Sequence, residues 1–152
     1  MKLPELFGAG NVALDLPPAP KEGLLESIIN DLDGRGLIAD RERVLRDVVE
    51  REKVMSTGVG NGVAIPHAYT DGVDRLVAGF YRTTAPVDFD ALDKRGVDLF
   101  FIILGPKESR RDHIKVLARI SRLLNHGEFR EDLRRAADAE AVTNVFKRFG
   151  DR

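Results

Sequence analysis

The 152-residue chain is 43% hydrophobic and 32% charged, ordinary composition for a soluble protein and enough for one domain with a sizeable core over residues 1–152. It contains no cysteine, which excludes a disulfide framework, Cys-ligated zinc, iron–sulfur clusters and thiol nucleophiles, and points to a reducing, cytoplasmic location. Lys and Arg total 24 against 25 Asp and Glu, so a formal net charge of -1 offers no overall field to attract nucleic acid or an anionic membrane.

The longest apolar run, 99–104, falls far short of the roughly 20 residues that span a bilayer. Pro4 and Glu5 follow the first three residues directly, so no secretory signal is expected.

A short first strand is predicted over 11–16, followed by the stiff Pro17-Pro18-Ala19-Pro20 connection. Leu24, Leu25, Ile28, Ile29 and Leu32 then keep helical spacing from about Lys21, with Gly34 and Gly36 as stop signals. Asp40 is a plausible N-cap for a second helix that carries Val44, Leu45, Val48 and Val49 inward and ends near Lys53. Residues 56–62 hold three glycines and an Asn-Gly pair, a turn feeding a strand over 63–66. That strand is expected to stop at His67, because Pro66 has no ladder donor, and to present the imidazole at its edge.

Two further strands are predicted over 76–84 and 97–104. The second is apolar on successive residues after Asp98, as a central strand covered on both faces requires. A hairpin through 85–96 would make the sheet mixed. Helices over 108–125, 128–137 and 138–149 finish the chain, the last capped by Asp138. The interspersed pattern predicts a single α/β domain with a mixed central sheet and helices on both faces.

Only His67, His113 and His126 are histidines. His67 is the candidate for chemistry, since a strand end exposes a side chain to a ligand; His126, in an Asn-His-Gly turn, reads as surface. At about 100° per residue, Arg51 continues the apolar stripe of Val44 and Val48, whereas Arg43, Arg46, Asp47, Glu50 and Lys53 point away. Arg51 either caps the last carbonyls of its helix or reaches over the core edge toward an anion. His113 begins a predicted inward stripe of Leu117, Ile120 and Leu124, as a satisfied core histidine or as a neutral hydrogen-bonding group near a helix N-terminus. Lys115, Arg119 and Arg122 fall on the opposite face, a solvated surface or a partner patch. No metal is expected, because no histidine pair has ligand spacing and only Asp71 lies near His67 in sequence.

The string Arg51-Glu52-Lys53 followed by the segment from Ser56 to His67, with Gly105-Pro106-Lys107 and the segment from His113 to Leu124, resembles the fructose/mannitol-type enzyme IIA of the bacterial sugar phosphotransferase system. The likeness covers essentially the whole chain and includes the nitrogen-regulatory enzyme IIA. It implies the phosphotransferase/anion-transporter-like fold and a phosphotransferase that carries the phosphoryl group on Nε2 of His67, flanked by Arg51 and His113. Backbone N–H groups of the turn Gly60, Asn61 and Gly62 are expected to add phosphate contacts, and a backbone carbonyl is expected to hold Nδ1 of His67.

The implied donor is an HPr-like phosphocarrier protein. The implied recipients are a IIB component, which supplies the acceptor cysteine, or regulatory targets bound according to phosphorylation state; association with a membrane permease would be through such partners. No cofactor is implied. One departure is visible: Ala68 and Tyr69 follow the histidine, where the family often has Gly first.

Overall fold

The computed structural model describes residues 2–149. The elements, in chain order, are α1 (Leu3–Leu6), β1 (Val12–Leu16), α2 (Lys21–Gly34), α3 (Arg41–Val54), β2 (Gly58–Gly60), β3 (Val63–Ala64), β4 (His67–Tyr69), β5 (Val77–Val87), β6 (Val97–Gly105), α4 (Arg110–Leu123), α5 (Gly127–Arg135) and α6 (Ala139–Phe149). The sheet is mixed and runs β1-β5-β6-β3-β2, with β4 also paired to β6. β5 and β6 are antiparallel across the connection through 88–96, whereas β1 on β5, and β3 and β4 on β6, are parallel.

β6 is the centre of the molecule because its successive residues must be apolar on both sides. Leu99, Phe101 and Ile103 enter a core covered by α1, α4, α5 and α6, while Phe100, Ile102 and Leu104 enter a second core covered by α2 and α3. Both faces are therefore occupied by helices. No helix among the described residues is long and apolar enough to cross a membrane.

Predicted caps are present: Asp40 accepts from the Arg43 amide at 3.2 Å, and Asp138 from the Ala141 amide at 2.8 Å. Two expectations are corrected. The strand over 63–66 does not end by presenting His67. Pairing pauses at Ile65 and Pro66 and resumes, so His67 begins β4, opposite Ile103. Pro66 removes a donor but not an acceptor, and its carbonyl still takes the Ile103 amide at 3.0 Å, which keeps the chain on β6 across the break. On α4 the buried stripe is His113, Val116, Ile120 and Leu123, with Leu117 only half-buried. The helix lies on the sheet slightly rotated from the predicted face; His113, Ile120 and Leu124 are inside as predicted.

Candidate functional site

The parallel arrangement carries β4 toward the carboxyl end of β6, the position at which α/β sheets place their ligands. There, α3 supplies Arg51, β4 supplies His67 and Tyr69, and α4, returning after Gly105-Pro106, supplies His113. These line one cleft of about 470 Å³. The three side chains singled out by sequence come from separate elements and do converge.

His67 is half-buried, and its Nδ1 lies 2.7 Å from the Ile65 carbonyl. A carbonyl can only accept, so Nδ1 carries the proton and Nε2 keeps its lone pair. Nε2 faces the cleft, with one Arg51 guanidinium nitrogen at 3.5 Å. Burial, helped by the Arg51 charge, holds the His67 pKa below the usual 6.5, against the opposing pull of the Ile65 carbonyl and Glu52. The imidazole is thus neutral at physiological pH, with a free nitrogen beside a fixed cation.

His113 is 2% exposed, and both ring nitrogens are buried without a hydrogen-bond partner among the described residues. Its ring lies edge-on to His67 at 5.8 Å between centroids and tilted against Tyr69 at 4.6 Å. Burial, with His67 beside it, pushes its pKa down to about 4. Two unsatisfied polar atoms at a cleft wall are costly in an ordinary core. They suit a position that donates to a ligand. Tyr69, the departure from the family pattern, fills the gap between His113 and the Arg110 guanidinium, which sits 5.6 Å from the centre of its ring.

Arg51 caps its helix end and also reaches the cleft: Nη1 donates to the Met55 carbonyl at 3.1 Å, and Nη2 faces His67 at 3.5 Å. Its expected place on the core stripe needs correction. Val44, Val48 and Glu52 are buried, and Arg51 sits half-buried at their edge. Asp47 and Glu50 also line the cleft instead of pointing away, because α3 borders it along the residues one turn either side of Arg51.

The turn Gly60, Asn61 and Gly62 is not brought to His67. The Asn61 amide is taken by Asp93 at 3.0 Å, and the Gly62 carbonyl by the amides of Asp98 and Leu99. Since Val63 pairs with Leu99 but His67 with Ile103, the turn lies toward the other end of β6. His126 is exposed, as are Lys115 and Arg122. Asp71 is drawn off to Arg43 at 3.6 Å. No cluster of metal-ligating side chains occurs among the described residues.

One buried group, Glu52, escapes a search for histidines and cations. The signal that finds it is its spacing, four residues after Val48 and eight after Val44 on the buried stripe.

A small α/β domain that presents a neutral imidazole nitrogen beside a guanidinium is equipped to accept and pass on an anionic group. The family described as "Phosphoenolpyruvate-dependent sugar phosphotransferase system, EIIA 2" matches residues 5–149, and the chain belongs to it. It is a phosphotransferase component of that system, a family whose members carry phosphohistidine. The fructose-specific EIIA component of Haloferax volcanii is 39% identical over 134 residues, 88% of this chain and 87% of that protein. A nitrogen regulatory protein of Pseudomonas aeruginosa is 34% identical over 145 residues, 95% of this chain and 94% of that protein. The crystal structure of the nitrogen regulatory protein IIA-Ntr from Neisseria meningitidis superposes with a TM-score of 0.82 at 33% identity, covering 94% of this chain and 97% of that one.

Proposed function

We propose that His67 is the phosphoryl acceptor, that the donor is a phosphohistidine of an HPr-like protein, and that the recipient is a IIB component for sugar uptake. The observation that carries this reading is the Nδ1 bond to Ile65, which leaves Nε2 as a nucleophile aimed into the cleft. Nε2 attacks phosphorus in line, the donor's N–P bond breaks, and its electron pair returns to the donor nitrogen. Phosphoryl transfer asks the protein mainly for position and charge. Arg51 offers a permanently charged planar fork for the equatorial oxygens, and His113 a neutral N–H. Val54 is 82% and Ile114 55% exposed beside the cleft, an apolar rim that favours a protein donor over free phosphate.

Incubation with enzyme I, HPr and phosphoenolpyruvate is expected to add one acid-labile phosphate by mass, and none to His67→Ala. Undiminished labelling of His67→Ala would overturn the assignment. Similarity to nitrogen regulatory proteins along nearly the whole chain favours a second reading, a cytoplasmic regulator that binds targets according to phosphorylation state. Transfer of label from the phosphorylated protein to a cognate IIB cysteine separates the two.

A further inference from the structure

Glu52 is 6% exposed, and its carboxylate receives three donors. Lys21 Nζ, from the start of α2, lies 2.9 Å from Oε2, while the Thr57 amide reaches Oε2 at 2.8 Å and the Thr57 hydroxyl reaches Oε1 at 2.6 Å. Thr57 is itself buried, and its carbonyl accepts the Ile65 amide at 3.0 Å. Ile65 in turn offers its carbonyl to His67 Nδ1 at 2.7 Å. Three hydrogen-bonded contacts, joined covalently through Thr57 and Ile65, therefore connect a buried carboxylate to the nitrogen opposite the nucleophile.

We infer that Glu52 is a positioning residue for phosphoryl transfer, acting through Thr57 and Ile65 to fix the tautomer of His67 and to stabilise the charge its ring acquires. The inference rests on His67 being the acceptor. When neutral His67 attacks, the Nε2–P bond forms, the donor's N–P bond breaks with its electron pair returning to the donor nitrogen, and the proton stays on Nδ1, hydrogen-bonded to the Ile65 carbonyl. The ring is then substituted on both nitrogens and carries a formal positive charge. A carboxylate behind the Ile65 carbonyl opposes that charge through space, much as the acid of a catalytic triad supports its histidine, while Thr57 and Ile65 fix the position of the accepting carbonyl.

A simple anchor for the loop after α3 would not need an ion. Burying a carboxylate is costly even when it is paired, and a neutral amide could accept the same Thr57 bonds. What only the carboxylate supplies is charge. Lys21 tempers that charge, and its own position is held over the Phe89 ring at 4.6 Å.

The test is Glu52→Gln, read by the ring-nitrogen NMR of His67 in the unphosphorylated protein and by the pH profile of phosphorylation by phosphorylated HPr. The other groups facing His67 are Asp47, Glu50 and Arg51 of α3, Tyr69 of its own strand and His113 of α4, and all stay unchanged. The expected result is a His67 titration midpoint moved lower and a rate reduced roughly tenfold, the scale for groups that orient a reacting ligand from behind. A loosened loop would instead expose His67 and move its midpoint up, toward 6.5. A midpoint unmoved or raised, with a rate within about twofold of wild type, overturns the proposal.

Thr57→Val and Thr57→Ser give a second reading if Glu52→Gln fails to fold. Val breaks the hydroxyl link, and is expected to slow transfer and weaken the Nδ1–H preference, while Ser restores both; equal behaviour of the two overturns the proposal. The NMR arm needs no phosphoryl transfer, so failure of the acceptor assignment in His67→Ala is distinguishable from failure of Glu52.

Discussion

Arg51 divides one guanidinium between its own helix and the site: Nη1 donates to the Met55 carbonyl at 3.1 Å, and Nη2 stands 3.5 Å from Nε2 of His67. The carbonyl contact restrains the planar fork, so the cation facing His67 is placed before any anion arrives. Preorganised charge of this kind costs no reorganisation at the moment of transfer.

Arg51→Ala is therefore expected to do two things. Loss of the carbonyl contact at the helix end lowers stability by about 0.3–1 kcal/mol, and loss of the cation slows phosphorylation by roughly 10²-fold. Arg51→Lys keeps the charge but loses the fork, and recovers only part of the rate. Thermal unfolding and single-turnover transfer on the same two variants check both effects; wild-type rates in Arg51→Ala would leave only the helix cap.

Both ring nitrogens of His113 are buried with no hydrogen-bond partner among the described residues. His113→Phe is expected to leave unfolding free energy unchanged or to raise it by up to about 1 kcal/mol, because an apolar ring removes two unpaired buried groups. The same variant should still be labelled at His67 but pass the phosphoryl group on more slowly. Denaturant unfolding with peptide mapping and onward-transfer kinetics decides it; label found on His113 in the wild type would reverse the roles.

Acid dependence follows from the two lowered histidines. An unfolded chain takes up protons near 6.5, whereas folded His113 resists until about 4 and folded His67 until below 6.5. In that interval the unfolded state binds more protons, so stability is full above 6.5 and declines as pH falls toward 4. His113→Phe should flatten part of that decline in unfolding curves taken between pH 7 and about 4. Phosphorylation, which needs neutral His67, should hold its rate as pH falls through 6.5 and drop only below it. A rate already halved at 6.5 would mean that His67 titrates as a free imidazole.

Gly62 has φ +78°, and a Cβ there would meet the Arg134 guanidinium and lie 2.9 Å from an Asp98 carboxylate oxygen. Arg134 and Asp98 are paired at 3.0 Å, so the methyl would press on an ion pair as well as strain the backbone. Gly62→Ala is expected to destabilise by about 1–2 kcal/mol, the cost of a left-handed L-residue, with transfer to His67 unchanged below its melting range. A selective loss of transfer would put the turn back among the phosphate contacts.

Periodicity determined a good deal of this protein from sequence alone. The apolar spacing of α2 and α3, the doubly covered β6 and the caps at Asp40 and Asp138 all depend on residues within one turn or one strand, where local sterics and hydrogen bonding decide. Arg51, His67 and His113 were each legible for the same reason: each interrupts a local pattern. Their meeting was not local. It depends on the register of His67 against Ile103, four residues along β6 from the partner of Val63, and on α4 returning across that strand. The same register carries the glycine turn away from the site, although only four residues, the Ile65–Pro66 break among them, separate Gly62 from His67. Ile65, the Nδ1 acceptor, is only two residues from His67, but its carbonyl is aimed by the break in pairing with β6, and Glu52 comes behind it only through Thr57 and the Thr57–Ile65 contact. Side-chain spacing reports which face of one element is apolar, whereas strand pairing decides which faces come together, and that is settled only when the whole core closes.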